Sequence, residues 1–315
     1  MDPSAIAGRR SMRRKLTFWR VATVVVAIAA VFAAVMARWP ATTQDHIARV
    51  SIAGIIQDDR ELLERLDRIA RNDRVKALVV SIASPGGTTY GGEILYKAIR
   101  KVAAKKPVVS DIRTLAASAG YLVATAGDTI IAGESSITGS IGVLFQYPQV
   151  KQLMDKIGVS LEAIKSAPLK AEPSPFQPAS EEAKAMIQAM VNDSYAWFVD
   201  LVSARRGLPR GEVLRLSDGR IYTGRQALAA KLVDRLGDGD DIRAYLTERG
   251  VDTSLKVVDY EPKGSGGLFW ISAAVSEVLK GIGLDGIGAS TAIERLGGEK
   301  LFLDGLVSVW QVGPD

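Results

Sequence analysis

Apolar positions in this chain fall into blocks whose spacing changes along its length. The first block, Val21 to Ala37, is seventeen residues without a charge. Beyond it the blocks shorten and alternate in period. Arg49 to Gly54 reads as a short strand, and Asp58 to Asn72 as a helix with Leu62, Leu63, Leu66 and Ile69 on one face. Val75 to Ile82 has the length and β-branched content of a buried strand, and Ser84-Pro85-Gly86-Gly87 after it reads as a turn. Gly91 to Lys105 predicts the next helix and Pro107 to Ile112 the next strand. This alternation predicts an α/β domain with right-handed crossovers and a largely parallel sheet. Ser180 to Arg206 predicts a long helix. Its Met186, Met190, Trp197, Phe198 and Leu201 recur at helical spacing, as core or subunit-packing residues do. Tyr222 to Ala227 opens a further helix that closes at Leu232-Val233-Asp234. Lys263-Gly264-Ser265-Gly266-Gly267 is a linker signal, so the globular domain is expected over 46–262 and a Gly-rich, apolar C-terminal segment over 263–315.

Charge explains the first block. Residues 1–20 carry Arg9, Arg10, Arg13, Arg14, Lys15 and Arg20 against Asp2 alone. Removing these from the totals of 40 basic and 35 acidic residues leaves 34 of each, so the basic balance belongs to the tail and no nucleic-acid surface is expected. A basic tail over 1–20, an apolar run and flanking Trp19 and Trp39 predict a transmembrane anchor over 21–38. The basic side stays in the cytoplasm, which puts the following domain on the exported, periplasmic side of the cytoplasmic membrane. The competing reading is a cleaved signal peptide ending at Val35-Met36-Ala37; the length of the run and its tryptophan flanks favour the anchor.

Hydrophobic residues make up 47% of the chain and charged residues 24%, a globular balance. Cysteine is absent and His46 is the only histidine. Disulfide frameworks, zinc fingers and thiol nucleophiles are thereby excluded, and so is a histidine-based triad unless His46 serves it. His46 opens a strand just after the anchor, a poor place for a base. No metal or cofactor site is expected.

Two segments are candidates for chemistry. Gly86-Gly87 ends a buried strand, where bare backbone N–H groups can approach a ligand oxygen, although strand-to-helix turns of this composition are common. Ala117-Ser118-Ala119-Gly120-Tyr121 opens an apolar helical run, with small residues on both sides of the serine. A serine there is most often a cap. It is one residue short of the Gly-x-Ser-x-Gly elbow, since Ala116 replaces the first glycine. A serine nucleophile without histidine needs another base, and a lysine serves only where desolvation or dipoles lower its pKa. The Ser-x-x-Lys spacing of β-lactam-binding enzymes does not occur. Most lysines here sit beside other charges. Lys170 lies in a low-charge, proline-rich stretch, which also suits a solvated loop lysine, and Lys165 is the fallback.

Taken in order, Ser84-Pro85-Gly86-Gly87, Ala117 to Tyr121, Ile137-Thr138-Gly139-Ser140-Ile141-Gly142 and Ile164-Lys165-Ser166 resemble the signal peptide peptidase A family. Tyr222-Thr223-Gly224 and Leu232-Val233-Asp234 fit it too, and the resemblance covers about residues 48–250. It implies a Clp-protease/crotonase-like α/β fold of repeated strand-strand-helix units and a serine–lysine dyad. Ser118 is then the nucleophile, Lys170 the general base, and Ser140 the hydroxyl that orients the lysine. The N–H groups of Gly87 and Ala119 form the oxyanion hole, with Ala119 standing where the family frequently has glycine. The activity implied is that of a membrane-anchored serine endopeptidase, without cofactor, cutting apolar peptides such as signal-peptide remnants and membrane-protein segments. A ring-like homo-oligomer on the bilayer is implied as well. Two other classes compete: a crotonase-like acyl-CoA enzyme, which an exported location disfavours, and a catalytically silent membrane scaffold, which intact Ser118 and Lys170 disfavour.

Overall fold

The computed structural model describes Trp19 and residues 44–252, 254–261 and 307–309. The basic tail (Trp19 apart), the expected anchor over 21–38 and most of 263–315 lie outside the described residues. Among the described residues no helix is long and apolar enough to cross a membrane.

A compact unit begins at Asp45. Its first half alternates strand and helix: β1 (His46–Ile56), α1 (Arg60–Arg71), β2 (Val75–Thr88), α2 (Thr89–Ala103), β3 (Val108–Ala117), α3 (Ala119–Ala124), β4 (Thr129–Ala132) and β5 (Ile137–Gly139). The second half is richer in helix: α4 (Lys151–Lys156), α5 (Glu181–Arg206), α6 (Arg210–Leu216), β6 (Ile221–Thr223), α7 (Gly224–Ala229), β7 (Arg235–Leu236), α8 (Gly239–Glu248), β8 (Val257–Asp259) and β9 (Val307–Val309). One mixed sheet runs β6-β5-β3-β2-β1-β8, with β4 on β3, β7 on β4 and β9 on β2. Its central pairings are parallel, as the alternation predicted.

Side-chain alternation explains how the sheet is covered. Ala48, Val50 and Ile52 of β1 and Leu78, Val80 and Ile82 of β2 pack in one core with Leu62, Leu66 and Ile69 of α1, Leu95 and Ile99 of α2 and Phe198 of α5. Ile47, Ala77, Val79 and Val109, one position out of phase, meet Ile242, Tyr245 and Leu246 of α8. The α1 residues obey the helical period seen in the sequence, and Asp59 caps that helix by accepting from the Leu62 N–H at 2.9 Å. Full burial of each such leucine or isoleucine contributes about 1.5–3 kcal/mol.

Strand ends depart from the sequence reading. β2 does not stop at Ile82: Ser84-Pro85-Gly86-Gly87 is extended strand, because β1 runs beside it as far as the Ile56–Gly87 pair. β3 likewise continues to Ala117 instead of ending at Ile112, held by Ser84–Ala116 on one side and Ala117–Gly139 on the other. Partner strands override local turn propensity here.

Candidate active site

Carboxyl ends of parallel strands form the usual ligand crevice of an α/β sheet. Here the pairs Ile56–Gly87, Ser84–Ala116 and Ala117–Gly139 draw the ends of β1, β2, β3 and β5 to one place.

β3 passes into α3 with no loop, so Ser118 alone makes the corner. Its φ of 58° and ψ of −121° are sparsely populated for a residue with a side chain, the strained geometry of a nucleophile elbow. The corner is held at both ends: the Ser118 N–H donates to the Gly139 carbonyl at 2.8 Å, and the Ser118 carbonyl accepts from the Leu122 N–H at 2.9 Å. Its side chain makes no capping hydrogen bond to α3, which removes the commonest role of a serine at a helix start. Ser118 is 1% exposed, and every residue of α3 behind it is buried. That short helix is pinned through Tyr121, whose hydroxyl donates to the Leu232 carbonyl at 2.8 Å and whose phenol is pushed up by burial.

Ser140 stands in the equivalent place on the neighbouring strand, one residue past the Ala117–Gly139 pair, with φ of 50° and its N–H donating to the Arg220 carbonyl at 2.8 Å. Paired strands lie about 5 Å apart, so Ser118 and Ser140 leave the sheet from adjacent positions. Thr138 supports them, its hydroxyl donating to the Ala116 carbonyl at 2.7 Å. Gly139 has φ of 89°, and a Cβ there would lie 2.6 Å from the Tyr222 ring. Gly139→Ala is therefore expected to cost about 1–3 kcal/mol of stability, from strain and clash together, measured by urea unfolding.

Gly87 is required for a different reason. A Cβ would fall 1.9 Å from the Ile56 carbonyl oxygen, so only glycine lets β2 run this close to β1. Ser84, buried inside β2, donates to the Gly54 carbonyl at 2.7 Å and accepts from the Gly86 N–H at 3.1 Å, shaping the strand just before the glycine pair. Ala119, the first residue of α3, sits against Gly92 of α2, whose built Cβ would be 3.2 Å from the Ala119 methyl. Its extra carbon is thus taken up by the small residue facing it.

The basic candidates come from other segments of the chain. Lys170 is exposed on the excursion between β5 and α5, its N–H donating to Ala167 at 3.1 Å, and among the described residues no hydrogen bond joins it to Ser118. The Lys165 amine is held by the Glu172 carboxylate at 2.5 Å, and that contact keeps the Glu172 carboxyl below its usual range. His46 pairs with Val75 at the start of β1, about 33 Å of strand from Ile56, and its Nε2 lies 2.9 Å from the Tyr260 hydroxyl.

The crevice has one further wall that periodicity gave no sign of. β9 pairs antiparallel with Gly86–Thr88 of β2, and its Val307 exchanges backbone hydrogen bonds of 2.9 and 3.1 Å with Leu144. Neither segment carries an apolar alternation or a turn motif long enough to reveal this contact.

Comparison with known proteins puts these residues in context. Residues 100–252, which include Ser118, Ser140 and Lys170, match the model of Peptidase family S49. A Methanocaldococcus jannaschii protein with a provisional protease designation is 35% identical, over 72% of this chain and 75% of that one. An Enterococcus faecium protein with a provisional designation as signal peptide peptidase SppA is 32% identical, over 73% of this chain and 72% of its own. The chloroplastic serine protease SPPA of Arabidopsis thaliana is 28% identical over 78% of this chain, which spans 36% of that longer protein.

Proposed function

The chain belongs to peptidase family S49 and is a serine protease, and from that premise we propose that it is a membrane-anchored endopeptidase working through a Ser118–Lys170 dyad. The observation that carries the reading is Ser118 itself: buried, strained, excused from capping, and set at the carboxyl end of a parallel sheet. Neutral Lys170 takes the hydroxyl proton as Ser118 Oγ attacks the scissile carbonyl carbon. The N–H groups of Gly87 and Ala119 hold the resulting oxyanion, and Ser140 orients the lysine amine. The lysine ammonium then protonates the departing amine as the C–N bond breaks. Water, deprotonated by the same lysine, attacks the acyl-serine ester; as the ester C–O bond breaks, the lysine ammonium returns the proton to Ser118 Oγ, which frees the acid product and restores both residues. The order of strands, helices and elbow supports the Clp-protease/crotonase type of fold. The charge-free run from Val21 to Ala37 behind a basic tail supports anchoring, with the protease domain on the periplasmic side. The designation of the Enterococcus faecium relative supports apolar signal-peptide remnants as substrates.

Assembly completes the proposal. Lys170 sits on an excursion that also exposes Leu153, Ile157, Val159, Leu161, Ile164 and Phe176, a concentration of apolar surface suited to a neighbouring subunit. Burial against that neighbour supplies the desolvation a lysine base needs. In this reading the dyad is shared, Ser118 of one subunit meeting Lys170 of the next in a ring-like homo-oligomer. Ser118→Ala and Lys170→Ala proteins, each inactive alone, should regain activity when co-assembled, because a fraction of interfaces unites both intact residues. Mixed oligomers that form yet stay dead would put the dyad within one chain.

A further inference from the structure

The short helix behind Ser118 is held at its far end by arginines from two other helices. α3 has six residues, far fewer than a helix needs to persist by itself, and Ser118 gives it no side-chain cap. Its end is nonetheless fully bonded. The Tyr121, Val123 and Ala124 carbonyls accept from the Thr125, Ala126 and Gly127 N–H groups, and the Thr125 hydroxyl donates to the Leu122 carbonyl at 2.6 Å. The next three carbonyls, the kind a helix end leaves orphaned, all go to guanidinium groups. Arg205 of α5 donates from Nε to the Thr125 carbonyl and from Nη2 to that of Gly127, each at 2.7 Å. Arg100 of α2 donates from Nη1 to the Ala126 carbonyl at 2.9 Å and to the Asp128 carboxylate at 3.1 Å.

Two like charges therefore meet on one turn. Burial, and after it the Arg100 charge, hold Arg205 below its usual range. A planar fork that spans two carbonyls is what a guanidinium offers and a lysine amine does not. Arg205 is itself firmly placed, because Phe198, Val199 and Val202 bury this end of α5 in the core. Its neighbour Arg206 donates to the Lys231 carbonyl at 2.8 Å, next to the Leu232 carbonyl that takes the Tyr121 hydroxyl. Backbone as strained as that of Ser118 persists only where its surroundings over-determine it. On the β3 side the restraint is the bond to Gly139, and on the α3 side it is this turn. With the turn released, Ser118 relaxes out of its corner and carries the Ala119 N–H with it. We propose that Arg205 is a positioning residue for the reaction, which clamps the end of α3 and thereby keeps Ser118 Oγ and the Ala119 N–H aimed at the scissile carbonyl, with Arg100 as the weaker second hold. This rests on the reading of Ser118 as the nucleophile.

The test uses the full-length protein. Arg205→Met keeps an apolar stem and removes every donor, Arg205→Lys keeps the charge without the fork, and Arg100→Gln releases the guanidinium hold on Ala126. A fluorophosphonate reports twice: the labelled fraction counts folded sites, and the rate constant reads the geometry at Ser118. A displacement on the order of 1 Å at a reacting group costs about a hundredfold in rate. In Arg205→Met the labelling rate constant and kcat on an internally quenched alanine–leucine octapeptide should fall together by about tenfold to a hundredfold, with KM within about twofold. The loss should be smaller in Arg205→Lys and smallest in Arg100→Gln. A merely structural role gives a different result: a smaller labelled fraction or a lower Tm, at unchanged rate constant and kcat per labelled site. That result, or a larger loss in Arg100→Gln than in Arg205→Met, overturns the proposal. Should Arg205→Met fail to fold, Arg205→Lys against the parent decides by the same two readouts. An unlabelled Ser118 in the parent sinks the nucleophile reading, whereas a parent labelled no faster than its variants sinks the clamp alone.

Discussion

Replacing Ser118 by alanine is expected to lower peptide hydrolysis by a factor of roughly a thousand or more while leaving the fold intact. The loss is large because removal of a nucleophile leaves only binding and oxyanion stabilisation to act on a water. The fold survives because the Ser118 hydroxyl does not cap α3, and the corner is held by backbone bonds to Gly139 and Leu122. Alanine also fits a wall already built from Ala116, Ala117 and Ala119, all fully buried. A fluorophosphonate should label the parent at Ser118 and leave the variant unmodified. An unlabelled parent would favour the silent scaffold or an acyl-CoA enzyme, and a labelled, active alanine variant would move the nucleophile to another serine.

Lys170→Arg should be nearly as damaging. Arginine keeps the positive charge and much of the length but stays protonated, so it cannot accept the serine proton. Loss on the order of a hundredfold to ten-thousandfold is expected, the usual range for removing a general base. Lys165→Arg should be much milder, since an arginine at 165 can keep the ion pair with Glu172. The reverse order of effects, measured as kcat/KM on the same peptide, would reassign the base to Lys165. Thermal unfolding of both variants checks that the excursion has not simply come loose.

Legibility in the sequence followed the range of the forces involved. The buried strands, the amphipathic face of α1 and the long helix α5 were readable because hydrophobic periodicity is a property of a few neighbouring residues. The small residues on both sides of Ser118 and the near match to the Gly-x-Ser-x-Gly elbow were visible in the same local way, and the single histidine excluded a histidine-based triad almost by count. What needed the folded chain was every feature that depends on a partner far along it. β2 extends through Ser84–Thr88 because β1 runs beside it, although Pro85 and two glycines argue locally for a turn. Ser118 and Ser140 become neighbours through the β3–β5 register, across twenty-two residues of sequence. Ala119 is harmless because Gly92 of another helix faces it. His46 leaves consideration because its strand runs the length of the sheet away from the crevice. The strand that closes the cleft comes from residues 307–309, some 220 positions beyond the glycines it pairs with, and no local period encodes such a contact. Residue chemistry and local period were therefore set by the sequence alone, whereas strand ends, side-chain neighbours and access to Ser118 were decided by tertiary pairing, because hydrogen bonds between distant segments outweigh the weak turn preferences of four residues.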